Sequence, residues 1–172
     1  MYFMDFVGRR PFVSWLIFFA LVVTGFAWLT HVGVVSMAIA ADEFYVIRII
    51  GLWFFGASLA VGSIAYNIDS SATLRHLGSK VYKRRLGFAW FTSSNLLNLG
   101  LAGTTYGFIA MLHNAFVGRD FSNAAVLPQL IPIVGQNWAA ALFATASGIT
   151  GTILLSVQAY IVDYSLRMND GA

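Results

Sequence analysis

Residues 12–30 read FVSWLIFFALVVTGFAWLT, a run without a charged side chain, entered from Arg9, Arg10 and Pro11 and left through Thr30, His31 and Gly33. A bilayer core about 30 Å thick calls for roughly 20 apolar residues per helix, and this run meets that length. It is too long for a cleaved leader, and no small-residue cleavage site interrupts it. The same character fills the chain. Hydrophobic residues make up 59% of the 172 positions and charged residues 10%, with a mean hydropathy of +0.76, far from the balance of a soluble domain. The sequence therefore predicts an all-α integral membrane protein, a single membrane domain over residues 1–172 with room for four transmembrane helices and little outside them.

Three further spans continue the pattern. The second, residues 44–66, follows Asp42 and Glu43 and contains Gly51, Gly56, Ala57, Ser58, Gly62 and Ser63, with Arg48 near enough to its end to snorkel outward. Residues 67–86 form the one sustained polar stretch, holding Arg75, Lys80, Lys83, Arg84 and Arg85, and are too short for a separate domain. The third span lies in 90–117 and opens on Thr92, Ser93, Ser94, Asn95 and Asn98; Arg119, Asp120, Pro128 and Pro132 mark the connection to the fourth, residues 138–161, which stops at Asp163 and Arg167. Two apolar segments, 34–41 and 124–134, fit either a helix or a position along the interface.

Basic residues set the orientation, because loops rich in Lys and Arg stay in the cytoplasm. Arg9, Arg10, the five basic residues of 67–86 and Arg167 fall on one side, against Arg48 and Arg119 on the other. Both termini and the basic loop are thus expected inside. Trp28, Trp90, Trp138 and Tyr164 fall near span ends, as an aromatic belt would place them.

The spans carry no Asp, Glu or Lys in their central portions. Ionisable groups at membrane depth are costly and usually functional, so a chain that moves protons without one must borrow it from a partner. What the spans offer instead is small and hydroxylated residues. Gly100, Gly103, Thr104 and Gly107 fall at i, i+3, i+4 and i+7 and share one helix face, with Gly103 and Gly107 forming a GxxxG pair. Thr145, Gly148, Thr152 and Ser156 make a similar stripe. Two readings follow: close helix packing with each hydroxyl bonded back to its own helix, or two stripes that line a pore or clasp another helix. His31 and His113 sit near the outer interface and His76 in the basic loop, without ligand-like spacing. Cysteine is absent, so disulfides, thiolate metal sites and cysteine nucleophiles are excluded. No serine-histidine-acid set, paired carboxylate or phosphate-cradling loop can be assembled, and neither an enzyme nor a metal or cofactor is expected.

The run Leu99-Gly100-Leu101-Ala102-Gly103-Thr104-Thr105-Tyr106-Gly107-Phe108 resembles the GLxGTVxG signature of the MotA/TolQ/ExbB proton-channel family. Ala141-Leu142-Phe143-Ala144-Thr145-Ala146-Ser147-Gly148-Ile149 is similar to that family's ALxxTAxGL segment, one span downstream. The resemblance covers roughly residues 95–163. It implies a ring of subunits in a bacterial inner membrane, usually a pentamer, around two copies of a single-span partner of the MotB/TolR/ExbD kind. The partner's membrane aspartate carries the ion, and ion flow drives movement of one part against the other. By position, Thr104 and Thr145 are similar to the family's pore-facing threonines, and Thr152 continues that lining; Gly100, Gly103, Gly107 and Gly148 are the packing residues. Where TolQ and ExbB relatives commonly carry a glutamate at the start of the last span, this chain has Ala140. The expected function is a subunit of an ion-driven channel or motor; the alternative is a non-conducting structural or assembly subunit. No nucleic-acid partner is expected.

Overall fold

A computed structural model describes residues 10–42, 45–70, 79–119 and 126–170. Arg9, Glu43, Arg75, His76, Asp120 and Ala124, named above, lie outside the described residues. The described chain forms α1 (Pro11–His31), α2 (Val34–Ala41), α3 (Val46–Ser70), α4 (Ser79–Phe116) and α5 (Leu127–Asp170), and none of the described residues is in a strand. Three helices are long and apolar enough to cross a membrane: Pro11–His31, Val46–Ser70 and the Pro128–Met168 part of α5. The third expected span sits in α4, whose Thr92, Ser93, Ser94, Asn95 and Asn98 dilute its apolar content.

Segment 34–41 is a helix of its own. Gly33 breaks it from α1 by taking the left-handed conformation at φ 87°, which glycine adopts without a Cβ penalty. Segment 127–134 is the first part of α5, with Pro132 inside it. A proline there removes one ladder bond, the one Pro128's carbonyl would accept. Polar stretch 67–86 is taken up by helix at both ends, because α3 runs to Ser70 and α4 starts at Ser79. Both later helices thus outrun the spans read from hydropathy. At 1.5 Å per residue, the 38 residues of α4 reach about 57 Å and the 44 of α5 about 66 Å, roughly twice a bilayer core.

The four long helices, α1, α3, α4 and α5, alternate in direction. Phe12 meets Tyr66 edge-on at 5.3 Å between ring centroids and Phe26 meets Phe55 at 5.9 Å, so α1 and α3 run antiparallel. Gly62 leaves the space on α3 into which the Trp15 indole lies. A core of Ile50, Phe54, Val61, Ile64, Leu86, Leu96, Leu155 and Val162 joins α3, α4 and α5. Outside it, Leu21, Trp28, Leu52, Phe91 and Leu142 are all exposed, a surface suited to lipid. At the turn into α3, buried Asp42 accepts a hydrogen bond from the Arg48 backbone N–H at 3.2 Å, placing its carboxylate at the positive end of that helix. Arg48's guanidinium lies over the Tyr45 ring, 4.7 Å from its centroid.

One buried cluster fixes the relative position of α1, α3 and α5. The Trp15 indole N–H donates to Gln158 Oε1 at 3.1 Å, and Ser58 Oγ donates to the same oxygen at 2.6 Å. Gln158 is fully buried, and its Nε2 is the one buried side-chain atom without a hydrogen-bond partner among the described residues. Turning the amide over would set that N–H against an indole that can only donate, so the orientation is forced. Gln158→Met should therefore cost about 1–3 kcal/mol, since it strands the Trp15 N–H in an apolar interior. Adding Trp15→Phe to Gln158→Met should cost less than Trp15→Phe alone. Reversible unfolding in mixed micelles measures this cycle, and additive losses would show that the bond contributes nothing.

Candidate functional site

The long seam between α4 and α5 is built from the smallest side chains in the chain. A methyl group placed on Gly100 would lie 3.0 Å from the Ala144 carbonyl oxygen and 3.0 Å from Gly148 Cα; one on Gly148 would lie 2.7 Å from the Leu96 carbonyl oxygen. One on Gly107 would lie 2.9 Å from Ala141 Cβ, and one on Gly103 would meet Ala144 and Val46 at under 3 Å. Four glycines thus bring two helix backbones to a separation that no larger residue permits. Among lipids, where apolar surfaces gain little by meeting one another, this closeness supplies the van der Waals contact that holds helices together.

Hydroxyls lie on both sides of the Gly100–Gly148 crossing. On one side Thr104 and Thr145 are hydrogen-bonded to each other through their Oγ1 atoms. Thr104 Oγ1 also lies 3.0 Å from the Gly100 carbonyl and 3.3 Å from the Ala141 carbonyl, and Thr145 Oγ1 is 3.2 Å from that same Ala141 oxygen. Two hydroxyl protons therefore have more acceptors than they can serve at once, and the pair can exchange donors by turning each O–H about its Cβ–Oγ1 bond, with the oxygens left in place. On the other side Thr152 Oγ1 donates to the Ser93 carbonyl at 2.9 Å. Ser93 Oγ lies 3.1 Å from the Thr152 carbonyl and 2.7 Å from Ser156 Oγ, so both are satisfied when Ser156 is the donor to Ser93. Ser93 is buried, whereas Thr104, Thr145, Thr152 and Ser156 are each half-buried along one edge of the seam.

Helical spacing puts each stripe on one face of its helix, and the structure shows that the faces meet within one chain. Gly100, Gly103, Gly107 and Gly148 lie at that contact; Thr104 and Thr145 are paired in it, and Thr152 bonds across it. Ala140 is half-buried beside Ala141 at the same seam. His31 and His113 are exposed, and His113 Nδ1 lies 3.5 Å from Asn114 Oδ1. Among the described residues no three His, Asp or Glu side chains gather as a metal ion would need.

Two clefts at the ends of the seam escape a reading by span. One, of about 530 Å³, is lined by Ala40, Ala41, Asn114, Arg119, Ile133, Gln136 and Asn137, between the end of α2, the end of α4 and the first turns of α5. The other, of about 450 Å³, is lined by Trp90, Tyr160, Asp163, Tyr164, Arg167 and Met168. Its signal in the sequence was the i, i+4 recurrence of Tyr160, Tyr164 and of Asp163, Arg167, which aromatic-belt placement alone did not bring together.

The seam predicts a graded response to one added methyl group. Gly148→Ala should destabilise the protein by about 1–3 kcal/mol because backbone on α4 must move. Gly56→Ala meets nothing within 4 Å and should be neutral or slightly stabilising. Thermal unfolding in detergent compares the two, and equal effects would mean that the helices part easily at Gly148. Searches of family models, curated proteins and solved structures found no match to this chain.

Proposed function

We propose that this chain is a four-span subunit of an ion-driven membrane complex of the MotA/TolQ/ExbB kind, ringing a single-span partner whose membrane aspartate carries the ion. The observation that carries this reading is the Thr104–Thr145 pair, half-buried at the seam's edge. A carboxylate arriving there finds two O–H groups that already share the Ala141 carbonyl. Either can turn outward to donate to the charge while the other keeps its internal acceptor. Donors held in a low-dielectric passage stabilise a charge more than they would in water. The apolar part of the helices brings no acid of its own, which is why a partner is needed.

A second reading has support in the same geometry. Each of these hydroxyls is satisfied within the hairpin, as a non-conducting structural or assembly subunit would have it. Valine keeps threonine's shape without its hydroxyl, so the Thr104→Val, Thr145→Val double variant separates the two. Conduction predicts an assembled complex whose ion flux in liposomes, with the partner present, falls roughly 10-fold or more, about 1.4 kcal/mol or more at the barrier. Unchanged flux would assign the pair to packing. Thr152→Val, whose hydroxyl donates across the seam to a backbone carbonyl, should affect flux less.

The proposed orientation can be tested by itself. Exposed Ser70 ends α3 at the basic end of the bundle, and exposed Val117 follows α4 at the other. An impermeant thiol reagent added to intact cells should label Val117→Cys and leave Ser70→Cys unlabelled. The reverse pattern would overturn the orientation.

A further inference from the structure

We propose that the cleft at the basic end of the α4–α5 seam is a binding site for the headgroup of an aminophospholipid, a zwitterion with a primary ammonium and a phosphate. The proposal rests on the reading that this end meets the inner face of a bilayer and is independent of whether the protein conducts.

The depth is right for a headgroup. Trp15, bonded to Gln158, lies four residues, or about 6 Å, above the Pro11 start of α1. The same step along antiparallel α5 ends at Val162, level with the end of the apolar run in α1. Asp163 and Tyr164 therefore stand at the hydrocarbon boundary and Arg167 about 6 Å beyond it, where headgroups lie. Trp90 and Tyr160 sit at the boundary's apolar side and are both exposed.

The chemistry suits a zwitterion. Tyr160 and Tyr164 are stacked with ring centroids 6.3 Å apart and share the cleft with Trp90. Three aromatic rings around one space attract a cation through their electron-rich faces. Asp163 is largely shielded, its side chain 17% exposed, and both Arg167 contacts fall on its Oδ2, from Nε at 2.9 Å and a terminal nitrogen at 2.7 Å. An ammonium N–H would bond Oδ1, which a quaternary ammonium cannot do. Arg167, 74% exposed, has further N–H donors directed to solvent and matches a phosphate. An ion pair beside an aromatic cluster thus offers an acceptor for the ammonium and donors for the phosphate.

The test is native mass spectrometry of the intact protein, or of the complex it purifies in, released from nanodiscs of equal parts phosphatidylethanolamine, phosphatidylcholine and phosphatidylglycerol. The ethanolamine lipid should be retained over the other two by roughly tenfold. Asp163→Asn, nearly identical in shape, should reduce that preference to about the choline level, as should Tyr160→Leu. Tyr160→Phe keeps the ring and should keep the preference, and Arg48→Gln, at the other end of the bundle, should not alter it. Equal retention of the three lipids, or an undiminished preference in Asp163→Asn, would overturn the proposal. So would a Tyr160→Leu variant that keeps its lipid but loses its oligomeric state, since the cleft would then be a contact between copies. A failure of the threonine variants to change ion flux leaves the lipid result untouched.

Discussion

Inside hydrocarbon an indole N–H has no water to turn to, and Trp15 is met there by the Gln158 carbonyl, which also receives the Ser58 hydroxyl. Three helices distant in sequence are tied to one oxygen atom. Interhelical hydrogen bonds in membrane proteins contribute modestly, about 0.6 kcal/mol on average. Their value here lies in register. A slip of α5 by one residue would carry Gln158 through about 100° and leave both donors facing apolar side chains. The aromatic contacts from Phe12 to Phe26 and the gap at Gly62 hold α1 against α3 in that same register.

The α4–α5 seam obeys another constraint. Glycine at 100, 103, 107 and 148 brings backbones close enough for hydroxyls on one helix to reach carbonyls on the other, as Thr152 reaches Ser93 and Thr104 reaches Ala141. Larger residues would gain side-chain contact but lose these cross-helix bonds. The glycine stripe is consumed within one chain, so a second copy would have to pack against the large apolar side chains that cover the rest of the surface. That surface fits lipid and a neighbouring apolar helix equally well.

The sequence makes some of this legible and conceals the rest for physical reasons. Residues 12–30 and 44–66 stand out because a bilayer selects for uninterrupted apolar runs, and α1 and α3 follow them closely. α4 and α5 outrun the hydropathy reading because hydropathy registers the solvent, whereas helix continuation through Lys83, Arg84 and Arg85 or through Tyr164 and Arg167 depends on backbone propensity and on packing against the other helix. The stripes at 100–107 and 145–156 were readable as faces from their 3.6-residue period. That they face each other is a long-range fact no local pattern contains. Gln158 does not stand out in the sequence because a single amide in an apolar run carries no periodic signal; its one clue is that Trp15 and Ser58, two polar donors in apolar runs, need an acceptor at their depth.

The two constraints meet on α5. From Thr145 to Gln158 is thirteen residues, which turns about 220° around the helix, so the hydroxyl seam and the Gln158 oxygen act on nearly opposite faces. α5 is held by α4 on one side and by α1 and α3 on the other. Rotating it alone would break Trp15–Gln158 and Ser58–Gln158 while replacing Gly148 at the Leu96 carbonyl by a residue with a side chain, for which there is no room. In the proposed function, a charge hydrogen-bonded at Thr104 and Thr145 would therefore find no soft helix to turn inside this chain. A movement of the proposed kind would have to shift the α1–α5 bundle as one body, or shift the partner element that brought the charge, and α4 and α5, each roughly twice as long as a bilayer core is thick, would carry such a displacement along their whole length.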